Sequence, residues 1–150
     1  MVVERSAGMD LSNMKNRNTQ PLDCVFCNLL KNESRDFIVE NHLAVAFYDA
    51  YPVKEGHTLV IPRRHISSLF EARDDEIVAI HQLLNHCRRI LEKSVKAQGF
   101  NVGVNIGESA GQSVFHLHFH LIPRHDSDSA NPLGGVRHVI PGKGHYSRLS

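Results

Sequence analysis

No stretch of this chain approaches the roughly 20 consecutive apolar residues that a membrane-spanning helix requires, and no internal repeat is visible. Neither sign of charge is in excess. Lys and Arg number 17 against 16 Asp and Glu, a formal charge of +1. That balance argues against a protein living on bulk nucleic acid or on a polybasic membrane contact. Cysteine is scarce: Cys24, Cys27 and Cys87 are an odd count that does not read as a disulfide framework. The first residues, Met1-Val2-Val3-Glu4-Arg5, lack the apolar segment of a secretory signal, and Glu4 and Asp10 count against a mitochondrial transit peptide. A reducing cytoplasm is therefore expected, with no membrane and no nucleic acid as partner. Residues 1–20, polar and rich in Asn, Ser and Met, are expected to form a disordered leader, with Met9 and Met14 as alternative starts.

Against these absences stand 150 residues, 41% of them hydrophobic, enough for one domain with one real core. One count is out of line: there are 11 histidines, and three of them, His116, His118 and His120, fall within five positions. Histidine titrates near neutrality, ligates metals and shuttles protons, so the composition points to chemistry before any motif is read.

Along the chain, residues 24–31 form a short half-apolar segment suited to one or two helical turns. Residues 37–40, 43–48, 57–61 and 100–106 read as strands, rich in β-branched and aromatic residues and bounded by turn signals such as Pro62. Between them the period changes. Ile77, Ile80, Leu84, Cys87 and Leu91 recur at three- and four-residue spacings, with Leu83 and Ile90 beside them. Asp74, Asp75 and Glu76 open the segment, Arg88, Arg89, Lys93 and Lys96 lie toward its end, and Gly99 stops it. That charge order suits a helix dipole and predicts a helix over about 74–98, with Cys87 as a buried free thiol. Residues 107–112 read as a turn, and 113–122 as the most regular strand. No Gly-Lys-Ser/Thr follows that turn, so it is not a Walker phosphate loop. The fold class is α+β: an antiparallel sheet of about five strands, one long helix and a short N-terminal helix.

In Phe115-His116-Leu117-His118-Phe119-His120-Leu121-Ile122 the side chains of a strand alternate faces. The three imidazoles are then expected on one face, about 7 Å apart in succession, with Phe115, Leu117, Phe119 and Leu121 on the other. Such a set can be a tris-imidazole catalytic zinc site, a nucleophile with acid/base partners acting on a phosphate, or a split arrangement with one histidine on a metal. Cys24-Val25-Phe26-Cys27 is a C-x2-C knuckle that lets two thiolates hold one tetrahedral ion. His65 and His116 can complete it. Cys2His2 with no open position is a structural zinc site, which leaves His118 and His120 free for other chemistry.

These residues together resemble the histidine-triad (HIT) superfamily of nucleotidyl hydrolases and transferases. The segments that carry the resemblance are Phe47-Tyr48-Asp49, Gly56 to His65 and Gly111 to Leu121, within residues 22–125. The cysteine knuckle resembles the zinc-containing branch, in which the first triad histidine is a metal ligand, a role that falls here to His116. The resemblance implies a HIT domain over residues 21–125 that cleaves adenosine nucleotides at the α-phosphate. The candidate substrates are dinucleoside polyphosphates and AMP phosphoramidates or esters. His118 is the implied nucleophile, forming a covalent nucleotidyl-histidine that water hydrolyses. His120 is implied on the phosphate oxygens or leaving group, His57 as the histidine that orients the nucleophile, and Gln112, Ser113 and Asn105 as phosphate-side contacts. Asp49 would grip the ribose hydroxyls, and Phe26, Leu29 and Leu59 would form the base pocket. Leu121-Ile122-Pro123-Arg124 looks more like the dinucleoside-polyphosphate branch. The family is commonly homodimeric. Residues 126–150 form a polar extension expected to pack on the domain or across a dimer, with Arg137 or Lys143 on a polyphosphate. A nucleotide-binding regulatory protein with vestigial catalysis is the alternative reading.

Overall fold

The computed structural model describes residues 23–32 and 36–146, so the expected leader lies outside the described residues. Two helices, α1 (Val25–Lys31) and α2 (Asp74–Ser94), accompany five strands: β1 (Val39–Glu40), β2 (Ala44–Tyr48), β3 (Thr58–Pro62), β4 (Gly99–Gly103) and β5 (Phe119–Arg124). The strands form one antiparallel sheet in the order β1-β2-β3-β5-β4. The expected α+β architecture is what folds.

Both faces of the central strands are covered, which is why β2 and β3 read as nearly unbroken apolar runs. On one face Ala44, Ala46, Val60 and Leu121 pack with Ala79, Ile80, Leu83, Cys87 and Leu91 of α2. On the other, Val45, Phe47, Leu59 and Ile61 pack with Cys24, Phe26 and Cys27 of the α1 segment. The register places Leu59 opposite His120, so the triad's last histidine shares the second face.

Three boundaries differ from the sequence expectation. Helix α2 ends at Ser94, well short of 98, because Lys96 turns to φ 57 and Gln98 bonds to Arg124 as the chain enters β4. Pro62, expected to stop β3, closes it as its last residue. The last strand begins only at Phe119. Residues 113–118 leave the ladder, and the Leu117 N–H bonds the Ile66 carbonyl of the β3–α2 connection at 2.6 Å.

The buried stripe of α2 is also rotated by about one residue. It runs through Glu76, Ala79, Ile80, Leu83, Cys87 and Leu91, while Ile77 and Leu84 are half-buried. Glu76 occupies an apolar position because Arg64 reaches it with two bonds, Nε to Oε1 at 2.8 Å and Nη2 to Oε2 at 2.7 Å. Its carboxylate also accepts the Arg73 N–H at 2.8 Å, half of a capping box. These donors hold the Glu76 carboxyl down to about 2, against the burial that opposes ionisation. Cys87 is buried as expected, and burial raises its thiol to about 11.

Candidate metal and nucleotide site

Two clusters of polar residues lie on the α1 side of the sheet, and the triad divides between them. In the first, Cys24 caps α1 and its sulfur faces the Cys27 N–H one turn on, at 3.5 Å. Cys24 Sγ and Cys27 Sγ each lie 3.6 Å from His116 Nδ1, and Cys27 Sγ lies 3.2 Å from His65 Nδ1. All four ligand atoms fall within 4.8 Å of one another. A tetrahedral ion with ordinary zinc–sulfur and zinc–nitrogen bonds requires nitrogen and sulfur to be about 3.5 Å apart, so the spacing fits zinc. The tautomer fits too. His116 Nε2 donates to the Pro62 carbonyl at 2.8 Å, which leaves Nδ1 with its lone pair toward the sulfurs. Burial pushes His116 down to about 4, so the imidazole is neutral at pH 7. Burial and the neighbouring Cys24 push the Cys27 thiol up to about 11, so its thiolate requires a cation beside it.

The second cluster faces a cleft of about 610 Å³ between α1 and the ends of β2 and β3. His118 donates from Nδ1 to the His116 carbonyl at 2.7 Å, which leaves Nε2 as a lone pair. His57 has its Nδ1 3.2 Å from the Val53 N–H, so it accepts there and donates from Nε2 to His120 Nδ1 at 2.9 Å. That relay fixes His120 as the Nε2–H tautomer. His120 Nε2 is buried and has no protein partner. Burial lowers His57 and brings His120 down to about 4, so both are neutral donors at pH 7. Asp49 Oδ1 accepts the Tyr51 N–H, and its Oδ2 lies 3.6 Å from His57 Nδ1.

The structure thus separates the readings left open by the triad. The three imidazoles do not converge on one point among the described residues; His116 joins the cysteines. Phe26 lies between the clusters, edge-on to His116 at 5.9 Å and to His118 at 5.3 Å. Of the expected pocket residues, Phe26, Leu29, Leu59, Asp49, Ser113, His118 and His120 line the large cleft. Asn105 and His57 do not; they lie with His120 on a second cleft. Gln112 is buried with its amide fully engaged: Nε2 donates to the Ser67 and Val114 carbonyls and Oε1 accepts the Gly107 N–H. It shapes the 107–113 turn and has no donor left for a phosphate. Arg137 is turned into the extension, bonding the Gly144 and Lys143 carbonyls and covering Tyr146. Sequence reasoning did not assign Phe47, Val114 or the Val53 N–H. Phe47 lay inside a quoted segment, but the backbone donor of Val53 carries no residue-type signal at all.

An α+β domain with a Cys2His2 cluster and a histidine pair over a nucleotide-sized cleft defines a narrow class of protein. The chain belongs to the HIT domain family, whose pattern matches residues 31–127. It is 40% identical over 106 residues to a HIT-like protein of Saccharolobus solfataricus, covering 70% of this chain and 76% of that one. It is 36% identical over 112 residues to an adenosine 5'-monophosphoramidase of Saccharomyces cerevisiae, covering 74% and 68%. Among solved structures, a zinc-bound histidine triad family protein from Mycobacterium smegmatis superposes with a TM-score of 0.67 at 29% identity, over 75% of this chain and 82% of that one. Cys24 and Cys27 precede the family match, so half of the candidate metal cluster comes from outside it.

Proposed function

We propose that the protein is a nucleotidyl hydrolase that cleaves nucleoside monophosphate derivatives, phosphoramidates or phosphoanhydrides, at the α-phosphorus. The observation that carries this reading is the tautomer of His118. Its Nδ1–H is committed to the His116 carbonyl, so the neutral imidazole presents its Nε2 lone pair to the cleft. Nε2 attacks the α-phosphorus and the bond to the leaving group breaks. The leaving atom keeps that electron pair and takes a proton from water, with Ser113, exposed at the cleft wall, as the hydroxyl placed to pass it. The resulting imidazolium is stabilised through Nδ1–H. A second water then displaces the histidine, returns the pair to Nε2, and releases a proton and the nucleoside monophosphate. The unpartnered His120 Nε2–H is a preorganised donor for the phosphoryl oxygens, oriented by His57 and Val53. Asp49 accepts from the ribose hydroxyls, and Phe26, Leu29, Phe47 and Leu59 sandwich the base.

Cys24, Cys27, His65 and His116 hold a structural zinc, whose contribution is to fold the α1 segment onto the sheet. The zinc-bound relative and the monophosphoramidase relative support these two assignments. The test is a rapid acid-free quench of the protein with adenosine 5'-phosphoramidate, read by intact mass. A nucleotidylated wild type and an unlabelled, inactive but folded His118→Ala protein are expected. Tight AMP binding with neither adduct nor turnover would instead make it a nucleotide-binding regulatory protein.

A further inference from the structure

The donor assigned to the phosphoryl oxygens, His120 Nε2–H, is only as well aimed as His57, and His57 is aimed by the loop that joins β2 to β3, residues 49–57. That loop closes on the histidine twice. The Val53 N–H donates to His57 Nδ1 at 3.2 Å, and the His57 N–H donates to the Lys54 carbonyl at 3.0 Å. The floor of the loop is packed. Gly56 takes φ 87, and a Cβ there would stand 2.8 Å from Leu91 Cδ2 and 3.3 Å from Pro123 Cγ, so glycine lets the chain rest on α2 and β5. The tip is different: Tyr51 and Val53 are 88% and 71% exposed, so burial contributes little to holding the Val53 N–H in place.

Charge holds the tip instead. Lys54 Nζ donates to Asp128 Oδ1. Asp128 lies in a short 3-10 turn, Asp126–Asp128, that follows β5, the strand that carries His120. The turn is itself clamped. Asp128 Oδ2 accepts the His125 N–H at 2.7 Å and Arg124 Nε at 3.1 Å, and Arg124 Nη1 donates to Asn101 of β4 at 2.6 Å. The Asp128 side chain is mostly shielded from solvent, so this pair is screened less than an ordinary surface ion pair.

We propose that Asp128, acting through Lys54, is a positioning residue for the hydrolysis: the pair ties the tip of the 49–57 loop to the end of the strand bearing His120 and so fixes the direction of the hydrogen-bond chain from Val53 through His57 to His120. This rests on the hydrolase reading. Two acceptors and donors compete at His57 Nδ1, the Val53 N–H and the Asp49 carboxylate, whose Oδ2 lies 3.6 Å away. With Val53 in place, His57 carries its proton on Nε2 and His120 carries its own on Nε2, toward the phosphoryl oxygens. If the tip swings away, the same protons can be arranged in reverse. His57 Nδ1–H then turns to Asp49, His57 Nε2 accepts from His120 Nδ1–H, and His120 Nε2 presents a lone pair where a donor is needed. No proton is gained or lost, but the phosphoryl oxygens meet repulsion.

The test uses Lys54→Met, Asp128→Asn, the double variant and Lys54→Arg. Asn at 128 still accepts the His125 N–H. Each single loss is expected to lower kcat with adenosine 5'-phosphoramidate by ~10-fold, part of what a missing oxyanion donor costs. AMP affinity should stay within ~2-fold, because Asp49 is held at the sheet end by its own N–H on the His57 carbonyl. The double variant should lose no more than either single one, and Lys54→Arg should keep most of the wild-type kcat. NMR of the ring nitrogens should show wild-type His57 and His120 protonated at Nε2 alone, and mixed tautomers at both in the two single variants. Wild-type kcat in either single variant, losses that multiply in the double, AMP affinity falling in step with kcat, or unchanged tautomers would each overturn the assignment and leave the hydrolase reading standing. If wild type turns nothing over, the hydrolase reading falls, and the tautomers alone decide the tether: mixed in the variants they uphold it, unchanged they overturn it.

Discussion

Replacing Glu76 by Gln should cost stability in a pH-dependent way. Glu76 is buried in the apolar stripe of α2 and is held by Arg64 through two bonds and by the Arg73 N–H. Its carboxyl falls from 4.5 to about 2, and at about 1.4 kcal/mol per pH unit that difference is worth ~3 kcal/mol. The Arg64 side chain is 39% exposed, so solvent screens the pair, and about 2 kcal/mol is the better expectation. The sign follows from a depressed acid. The stabilisation is fully present above the unfolded-state value near 4.5 and is lost as pH falls toward 2.

Urea unfolding of wild type and Glu76→Gln across pH 2.5 to 7 reads this directly. Every other titrating group is common to both proteins, so the difference between the two curves isolates Glu76. A gap of about 2 kcal/mol at pH 7, closing through pH 5 to 3, is expected. An equal gap at all pH values would mean that shape, and not charge, holds the residue there. No gap at pH 7 would refute the pair's contribution outright. Converting both partners, Arg64→Met with Glu76→Leu, should recover most of the loss, because the position already lies among Ala79, Ile80 and Leu83.

Two further outcomes follow from the site. Elemental analysis should find about one zinc per chain. Chelation should lower the melting temperature by roughly 10–20 °C, since a site held a thousandfold above its dissociation constant contributes about 4 kcal/mol; an unchanged melt would remove the structural role from Cys24, Cys27, His65 and His116. Gln112→Ala should lower stability by about 1 kcal/mol by stranding half-buried backbone groups of Ser67, Gly107 and Val114, and should reduce kcat more than AMP affinity because Ser113 shifts. A selective loss of AMP affinity with full stability would instead place the Gln112 amide on the phosphate.

What the sequence made legible was whatever a residue type or a short period encodes. Five strands and the long helix follow from β-branched runs and a 3.6-residue stripe, and the C-x2-C knuckle with His65 and His116 follows from ligand chemistry. At the triad the strand period gave the faces, with Leu117, Phe119 and Leu121 on the α2 side and the imidazoles with Phe26 on the other. It did not show that residues 113–118 leave the ladder, where the Leu117 N–H bonds the Ile66 carbonyl. Glu76 misled outright. As one of three acids at a helix start it reads as a dipole partner, and only the fold brings Arg64, 12 positions earlier, onto it. Gln112 and Val53 act through backbone groups, which no side-chain pattern encodes.

The two clusters are coupled through a single stretch of main chain. His116 is fixed at its ring by the Pro62 carbonyl on one nitrogen and by the cysteine sulfurs facing the other. Its own carbonyl then receives His118 Nδ1–H at 2.7 Å, and the intervening Leu117 N–H bonds Ile66, the residue after His65. The residues that would bind zinc therefore set the tautomer and aim of His118, the proposed nucleophile. Phe26 reinforces the arrangement by packing edge-on against both imidazoles from between the two cysteines. A loosened α1 segment would lose the wall of the large cleft and the His116 anchor together. Sequence variation at Cys24 or Cys27 should accordingly reach catalysis through the backbone at residue 116, even though neither sulfur lies on the large cleft.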